Sequence, residues 1–285
     1  MTTIGQEIHA KGNTLMKNYD CEVVIKPSKS KGIHIYVDND KEYFDASIDN
    51  VISTEHNIVW GSRNHRTLLG GYKYKVQLCE HFMAACAILR IDSLDVYLNQ
   101  AEFPIFDGSS KEWIRLFTEA GIVDKPKKQA LYTVKEPVYY LNGKTSMVIL
   151  PDKDLYISYA INYDHPDMRN RWAALDYAKN PKVLEEIIEA RTFGFYKDLK
   201  KYQMLGFGRG VTIENTVGFI DEGYTTELRS EREPIKHKIL DLIGDIYQTG
   251  VSVLDMKCQI LVKEAGHAVH IKTARMLKDK LVKIK

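Results

Sequence analysis

No stretch of this 285-residue chain approaches the roughly 20 apolar residues that carry a helix across a bilayer. Its start, Met1-Thr2-Thr3-Ile4-Gly5-Gln6-Glu7, lacks the basic end and apolar centre of a secretory leader. A transmembrane segment is therefore not expected, and the expected location is cytoplasmic. Cysteine is scarce. Cys21, Cys79, Cys86 and Cys258 show neither paired spacing nor the density of a disulfide scaffold, so reduced thiols are expected. Cys79 precedes Glu80 directly, but a small buried thiol is a more ordinary part for it than nucleophile or metal ligand. Excess charge is also lacking: a formal +2 is too little to argue for nucleic acid as a partner. The basic runs Lys125-Pro126-Lys127-Lys128 and Lys197 to Lys201 read as solvated faces. Gly206-Phe207-Gly208-Arg209-Gly210 has no Lys-Ser/Thr, so turn chemistry fits it better than a phosphate loop.

What is present is enough apolar material, 44% of residues, for two cores, and the length suits two domains. Cys21 to Lys26 and Ile33 to Val37 read as strands. Leu78 to Leu89 reads as a helix, with Leu78, Phe82, Ala85, Cys86 and Leu89 at core spacing. Ser93 to Leu98 reads as a strand and Asp107-Gly108 as a turn. Ser109 or Ser110 then caps a helix over Lys111 to Ala120, which Gly121 ends. The polar, proline-bearing Lys125 to Gln129 is the expected boundary between a unit over 1–124 and one over 125–285. In the second unit, Leu131 to Val134, Ser146 to Leu150 and Leu155 to Ile161 read as strands. Pro181 starts a helix through Glu189, and another runs from Pro234 or Ile235 to Thr249, before Gly250. Cys258 to Val262 is a further strand, and Gly266-His267 opens the final helix. The chain has no convincing internal repeat, yet strands followed by paired helices in both halves hint at a duplicated architecture.

Two short motifs and one isolated histidine carry the chemistry. In His237-x-x-x-Asp241 the residues are four apart, so on a helix an imidazole and a carboxylate share one face and can reach a single ion. His81 can bring a third ligand from the other half, leaving a fourth tetrahedral position open for water, as in catalytic zinc sites. Glu80 then stands beside that water as general base. His267 is the candidate general acid, because imidazole titrates nearest neutrality, and Asp245 can hold it as the cation. Asp245 follows His237 by eight residues and shares a wide helix face with His237 and Asp241, whereas Lys238 points elsewhere, towards substrate. Each motif alone is weak; only their convergence points to amide hydrolysis.

The flanking residues supply that convergence. Glu80-His81-Phe82-Met83-Ala84-Ala85, Glu102-Phe103-Pro104-Ile105-Phe106-Asp107-Gly108-Ser109, Ala190-Arg191-Thr192-Phe193-Gly194-Phe195, His237 to Asp245 and Gly266-His267-Ala268 follow one another along the chain. In that order they resemble the UDP-3-O-acyl-N-acetylglucosamine deacetylase family of lipid A synthesis, from about residue 10 to residue 280. The resemblance implies two layered α+β domains of similar topology, packed through their helices with the active site between them. It implies zinc on His81, His237 and Asp241, with Fe2+ an alternative occupant. Glu80 becomes the general base, His267 the general acid and Asp245 its partner, and Thr192 helps to stabilise the oxyanion. Phe193, Lys238 and Tyr163 become substrate contacts, Tyr163 replacing a family phenylalanine. The segment from Arg191 through Val217 is the family's insert lining the acyl chain. Here it retains Phe193, Phe195, Tyr202, Met204, Leu205 and Phe207, each of which ordinary core packing explains equally well.

Departures weigh on the substrate more than on the reaction. The family's Gly-x-Gly-Leu-His-[Ser/Thr]-Gly reads here Gly12-Asn13-Thr14-Leu15-Met16-Lys17-Asn18, so its histidine becomes Met16 and the loop is expected to take another shape. A family lysine before a proline falls at Leu150, and His270-Ile271 stands where Asn-Asn is common. His165, His267 and His270 invite a second metal site, but His270 is expected to face solvent or cap its helix, and His267 is reserved for proton transfer. The expected function is zinc-dependent release of acetate from an acylated UDP-amino sugar by a monomeric enzyme. The alternatives are a paralogous deacetylase acting on another N-acetylated sugar and, from a different class, a non-catalytic binding protein of the same fold.

Overall fold

The computed structural model describes residues 1–54, 59–61 and 74–284. The first half of the chain runs through β1 (Thr3–Ile4), β2 (Ile8–Asn13), β3 (Asp20–Pro27), β4 (Gly32–Val37) and β5 (Phe44–Asp45). The short β6 (Val51–Ser53), β7 (Val59–Gly61) and β8 (Lys75–Gln77) follow, then α1 (Glu80–Leu89), β9 (Ser93–Leu98), α2 (Lys111–Ala120) and β10 (Ile122–Val123). The second half opens with β11 (Tyr132–Val134), β12 (Val138–Asn142), β13 (Thr145–Pro151), β14 (Tyr156–Ile161) and β15 (Arg171–Asp176). Next come α3 (Val183–Glu189), β16 (Thr192–Phe195), α4 (Tyr196–Met204) and β17 (Thr216–Phe219). The chain finishes with α5 (Glu233–Tyr247), β18 (Cys258–Lys263), α6 (His267–Lys278) and β19 (Leu281–Lys283).

Two five-stranded sheets share one wiring, which makes this an α+β fold of two similar layered units. Their orders are β2-β3-β9-β4-β5 and β12-β13-β18-β14-β15. Within each, every neighbouring pair is antiparallel except the third with the fourth, β9 with β4 and β18 with β14, which are parallel. A parallel neighbour needs a long crossover, and α1 and α5 lie in the two equivalent crossovers, while α2 and α6 follow the two central strands.

Strand alternation sets the inner faces. Cys21, Val23 and Ile25 of β3, Met147 and Ile149 of β13, and Ile157, Tyr159 and Ile161 of β14 are buried, with more exposed residues between them. The helices they cover are buried nearly all round, charged residues included: α5 along its whole length and α1 from Glu80 to Ile88. α5 packs against β14, β15 and α1. Gly244 makes the last contact possible, since a Cβ there would lie 2.1 Å from the Glu80 carbonyl oxygen and 3.0 Å from the Ala84 nitrogen. Glycine costs a helix interior about 1 kcal/mol relative to alanine; here its missing side chain lets two backbones touch.

The observed boundaries sharpen the sequence reading. α1 begins at Glu80, not Leu78, because Leu78 sits at φ +57°. α3 begins at Val183, two residues beyond Pro181, and α5 begins at Glu233 with Pro234 in its first turn. Ser110 holds the N-cap position of α2 without a side-chain cap bond, while the Ser109 Oγ accepts the Lys111 N–H at 3.1 Å. Strands β2, β5, β12 and β15 of the two main sheets and helix α4 have no counterpart in the sequence reading. Among the described residues, no helix is long and apolar enough to cross a membrane, and all four cysteines are free and buried.

Candidate active site

The close approach of α1 to α5 brings the three proposed ligands together. His237 and Asp241, one turn apart on α5, place Nε2 3.3 Å from Oδ1. His81, the second residue of α1, places its Nε2 3.8 Å from the same oxygen. All three ligand atoms lie within 4.8 Å of one another. Ligands at zinc bond lengths on a tetrahedron stand about 3.3 Å apart, so the set is close to closing on an ion. Asp241 Oδ1 is buried without a hydrogen-bond partner, the kind of orphaned acceptor that a cation satisfies. His237 Nδ1 donates to the Ala190 carbonyl at 2.9 Å, which fixes the tautomer and leaves Nε2 free to ligate. Burial, reinforced by His237, pushes the His81 pKa down to about 3, and burial lowers His237 as well, so both imidazoles are neutral, as a metal requires. Burial disfavours ionised Asp241, but Lys238 and the histidines outweigh it and hold the carboxyl well below its usual range. Two neutral imidazoles and one carboxylate fit a divalent ion of the zinc type.

Glu80 opens α1 beside this set, with Oε2 buried and unpartnered. Burial raises its pKa to about 7, with His267 opposing. The register of α1 is held by Ser110, whose hydroxyl donates to the His81 carbonyl at 2.7 Å. From the opposite side comes His267, the first residue of α6, whose Nδ1 donates to Asp245 Oδ2 at 2.8 Å. Its Nε2 lies 3.8 Å from both Glu80 Oε1 and Asp241 Oδ2. Burial would lower the His267 pKa, but Asp245 and Asp241 prevail and raise it to about 9, so His267 is a cation at neutral pH.

These groups line a cavity of about 360 Å³ shared with Thr192, Phe193, Lys238, Tyr163, Leu15 and Met16. Thr192 is anchored through its N–H to the Gly108 carbonyl at 2.7 Å. Gly108, at φ +79°, is indispensable there, because a Cβ would fall 1.7 Å from the Asn215 carbonyl oxygen. Next to Thr192, Arg191 is buried and pairs with Glu233 at the start of α5, Nε to Oε1 at 2.9 Å. The Phe193 ring stacks on Phe219 at 5.3 Å and meets the His237 ring edge-on at 6.0 Å. Tyr163 meets Phe193 at 5.7 Å. In the insert, Phe193 and Phe195 pack against the core, whereas Tyr202, Met204, Leu205 and Phe207 are exposed, Met204 at 89%. Core packing therefore does not account for those four.

Two expectations need correction. Lys238 does not point away from the ligand face: its Nζ donates to Asp241 Oδ2 at 2.6 Å, because residues three apart also share a face. His270 neither faces solvent nor caps its helix; it is fully buried, with Nδ1 2.7 Å from Asp245 Oδ2. His165 joins no metal group with His267 and His270, since its Nε2 donates to the Gly223 carbonyl at 3.0 Å and its ring lies against Phe219 and Tyr224. Leu150 is absent from the cavity lining and lies on the face of β13 opposite the buried Met147 and Ile149. Burial pushes the Cys79 thiol well above its ordinary pKa, which suits a core residue. The sequence reading overlooked Tyr159, the bond from Ser110 to α1 and the Arg191–Glu233 pair, whose partners are 29 to 111 residues distant. It also overlooked Glu102, whose Oε1 accepts the Met16 N–H at 2.8 Å.

Comparison with known proteins adds an independent line. The family model described as UDP-3-O-acyl N-acetylglycosamine deacetylase matches residues 1–279. A UDP-3-O-acyl-N-acetylglucosamine deacetylase of Leptospira biflexa serovar Patoc is 30% identical over 246 residues, covering 86% of this chain and 77% of that protein. One from Campylobacter jejuni subsp. jejuni serotype O:6 is 30% identical over 284 residues, covering 98% and 92%. One from Campylobacter fetus subsp. fetus is 29% identical over 256 residues, covering 89% and 84%.

Proposed function

Because this chain belongs to the UDP-3-O-acyl N-acetylglycosamine deacetylase family, we propose that it hydrolyses the N-acetyl group of a UDP-3-O-acyl-N-acetylglucosamine, in lipid A synthesis, in a cytoplasmic location. The single observation that carries the reading is the meeting of His81, His237 and Asp241 around one point, with Glu80 and His267 beside it. Zinc is the proposed ion, with Fe2+ an alternative, and His81, His237 and Asp241 hold it. When bound, such an ion polarises an amide carbonyl and acidifies water. Glu80, raised towards neutrality by burial, takes the proton of the attacking water. Thr192 donates its hydroxyl to the developing oxyanion, a role worth roughly 3 kcal/mol for a preorganised donor. His267, held as a cation by Asp245, gives its Nε2 proton to the departing nitrogen. Water and amide thus become acetate and the free sugar amine. Lys238, Phe193 and Tyr163 orient the substrate from the cavity wall, and the exposed apolar side chains of the insert suit its acyl chain.

Glu80→Gln is expected to keep stoichiometric zinc and to lose 10²- to 10⁴-fold in acetate release, whereas His237→Ala loses the metal. Near-normal turnover in both would overturn the assignment. A second reading, the same chemistry on another N-acetylated sugar, draws on Met16, which lines the cavity where the family signature has histidine. Acetate release from some other sugar, with none from the acylated nucleotide, selects that reading. A binding protein without turnover is selected instead if the purified chain carries neither zinc nor iron.

A further inference from the structure

The reading above leaves the buried His270 without a task. His270 lies one turn after His267 on α6 and is fully buried. Its Nδ1 stands 2.7 Å from Asp245 Oδ2, the same oxygen that His267 Nδ1 reaches at 2.8 Å. The other carboxylate oxygen, Oδ1, is buried with no partner. Behind His270, Nε2 lies 2.9 Å from the hydroxyl of Tyr159, itself buried on β14 and 2.8 Å from the Ala265 carbonyl. We propose that His270, backed by Tyr159, is a positioning residue for the deacetylase reaction: it pins the Asp245 carboxylate so that the His267 ring is held with Nε2 aimed at the leaving nitrogen. The proposal rests on the deacetylase reading.

Proton accounting defines the arrangement. An ionised carboxylate can only accept, so both histidines must present Nδ1–H to Asp245. Burial, against the pull of Asp245, lowers the His270 pKa, with Lys238 and His267 acting in the same direction as burial. His270 is therefore neutral, its Nε2 is an acceptor, and the single Tyr159 hydroxyl proton is shared between that nitrogen and the Ala265 carbonyl. Neutrality matters for the proton donor. A carboxylate held through one hydrogen bond can pivot about its own side chain, and a second donor removes that freedom. A lysine or arginine in that place would also cancel the charge of Asp245, whereas an uncharged imidazole steadies the group and leaves its full charge for His267. That charge is needed, because His267 sits at the N-terminal end of α6, where the helix dipole disfavours a cation.

The test compares zinc-loaded wild-type protein with His270→Phe, His270→Asn and Tyr159→Phe. Imidazole N–H protons bonded to a buried carboxylate give separate far-downfield proton resonances, and the wild type is expected to show two. His270→Phe should remove one, shift or broaden that of His267, and lower kcat 10- to 100-fold with KM and zinc content unchanged, the usual size of effect for a group that orients a site residue from behind. His270→Asn should restore kcat to within a few-fold, and Tyr159→Phe should fall between. Wild-type kcat in His270→Phe with the His267 resonance unmoved would overturn the proposal. So would equal losses in the Phe and Asn variants accompanied by lost zinc, which indicates mere packing. If wild-type protein releases no acetate from any N-acetylated sugar, the deacetylase reading fails, and the resonance of His267 in His270→Phe still reports separately whether His270 positions it.

Discussion

Glu80 and Glu102 are both buried carboxyls pushed up to about 7, yet burial does different things for them. At Glu80 it prepares the proposed base beside the proposed metal. At Glu102 it ties down the N-terminal loop through the Met16 N–H, and desolvation, partly offset by those backbone hydrogen bonds and by Lys17, raises the pKa. Unfolded, this carboxyl titrates near 4.5. Between 4.5 and 7 the folded state binds more protons than the unfolded one, so the contribution of Glu102 to stability is greatest at acid pH and declines as pH rises through that window. The whole effect is at most about 3.5 kcal/mol, from about 1.4 kcal/mol per unit. Glu102→Gln keeps an acceptor and removes the charge, so denaturant melts should show it stabilised at pH 8 and unchanged at pH 4. Residue chemistry also explains what the sequence disclosed. That His81, His237, Asp241, Glu80 and His267 would meet was legible because the proposed hydrolysis demands those groups, and the structure brings them together. His270 was not, because its meaning depends on Asp245 and Tyr159, 25 and 111 residues away. Lys238 is a different case: its three-residue spacing from Asp241 was visible and its consequence was missed.

Elements place these residues, and the seam between α1 and α5 is the decisive contact. Gly244→Ala should improve the intrinsic helix propensity of α5 and still destabilise the protein, because its methyl group would drive into the Glu80 carbonyl. Overpacking of this kind costs about 1–3 kcal/mol, and the displaced His81 should weaken zinc binding further. Thermal melts and zinc titration check both, and a Tm equal to wild type with unchanged zinc affinity would show that the helices can separate freely. α1, α5 and α6 were readable from apolar periodicity, Pro234 and Gly266. The start of α1 was not, since apolar spacing cannot reveal that Leu78 adopts a left-handed backbone. Helix α4 escaped because it has no buried residue and hence no apolar face of its own.

At the scale of the molecule, the proposed ligands come from both halves of the chain, so an ion there stabilises their union. Chelation is expected to lower Tm, and zinc at a hundred times its Kd should restore about 2.7 kcal/mol. A Tm indifferent to chelator and zinc would count against a bound ion. The duplicated wiring was only hinted at by the order of strands and paired helices, since no repeat in the residues announces it. Hydrogen bonding between strands depends on backbone, and two unrelated stretches can share a topology while sharing few side chains. That wiring has a practical consequence. Among the described residues, every strand pairs within its own half, and the peptide crosses from one half to the other only near residues 125–129. A nick at that crossing would unzip no ladder, so fragments 1–124 and 125–285, made as separate chains, should reassemble into a working heterodimer with the cation as its clasp.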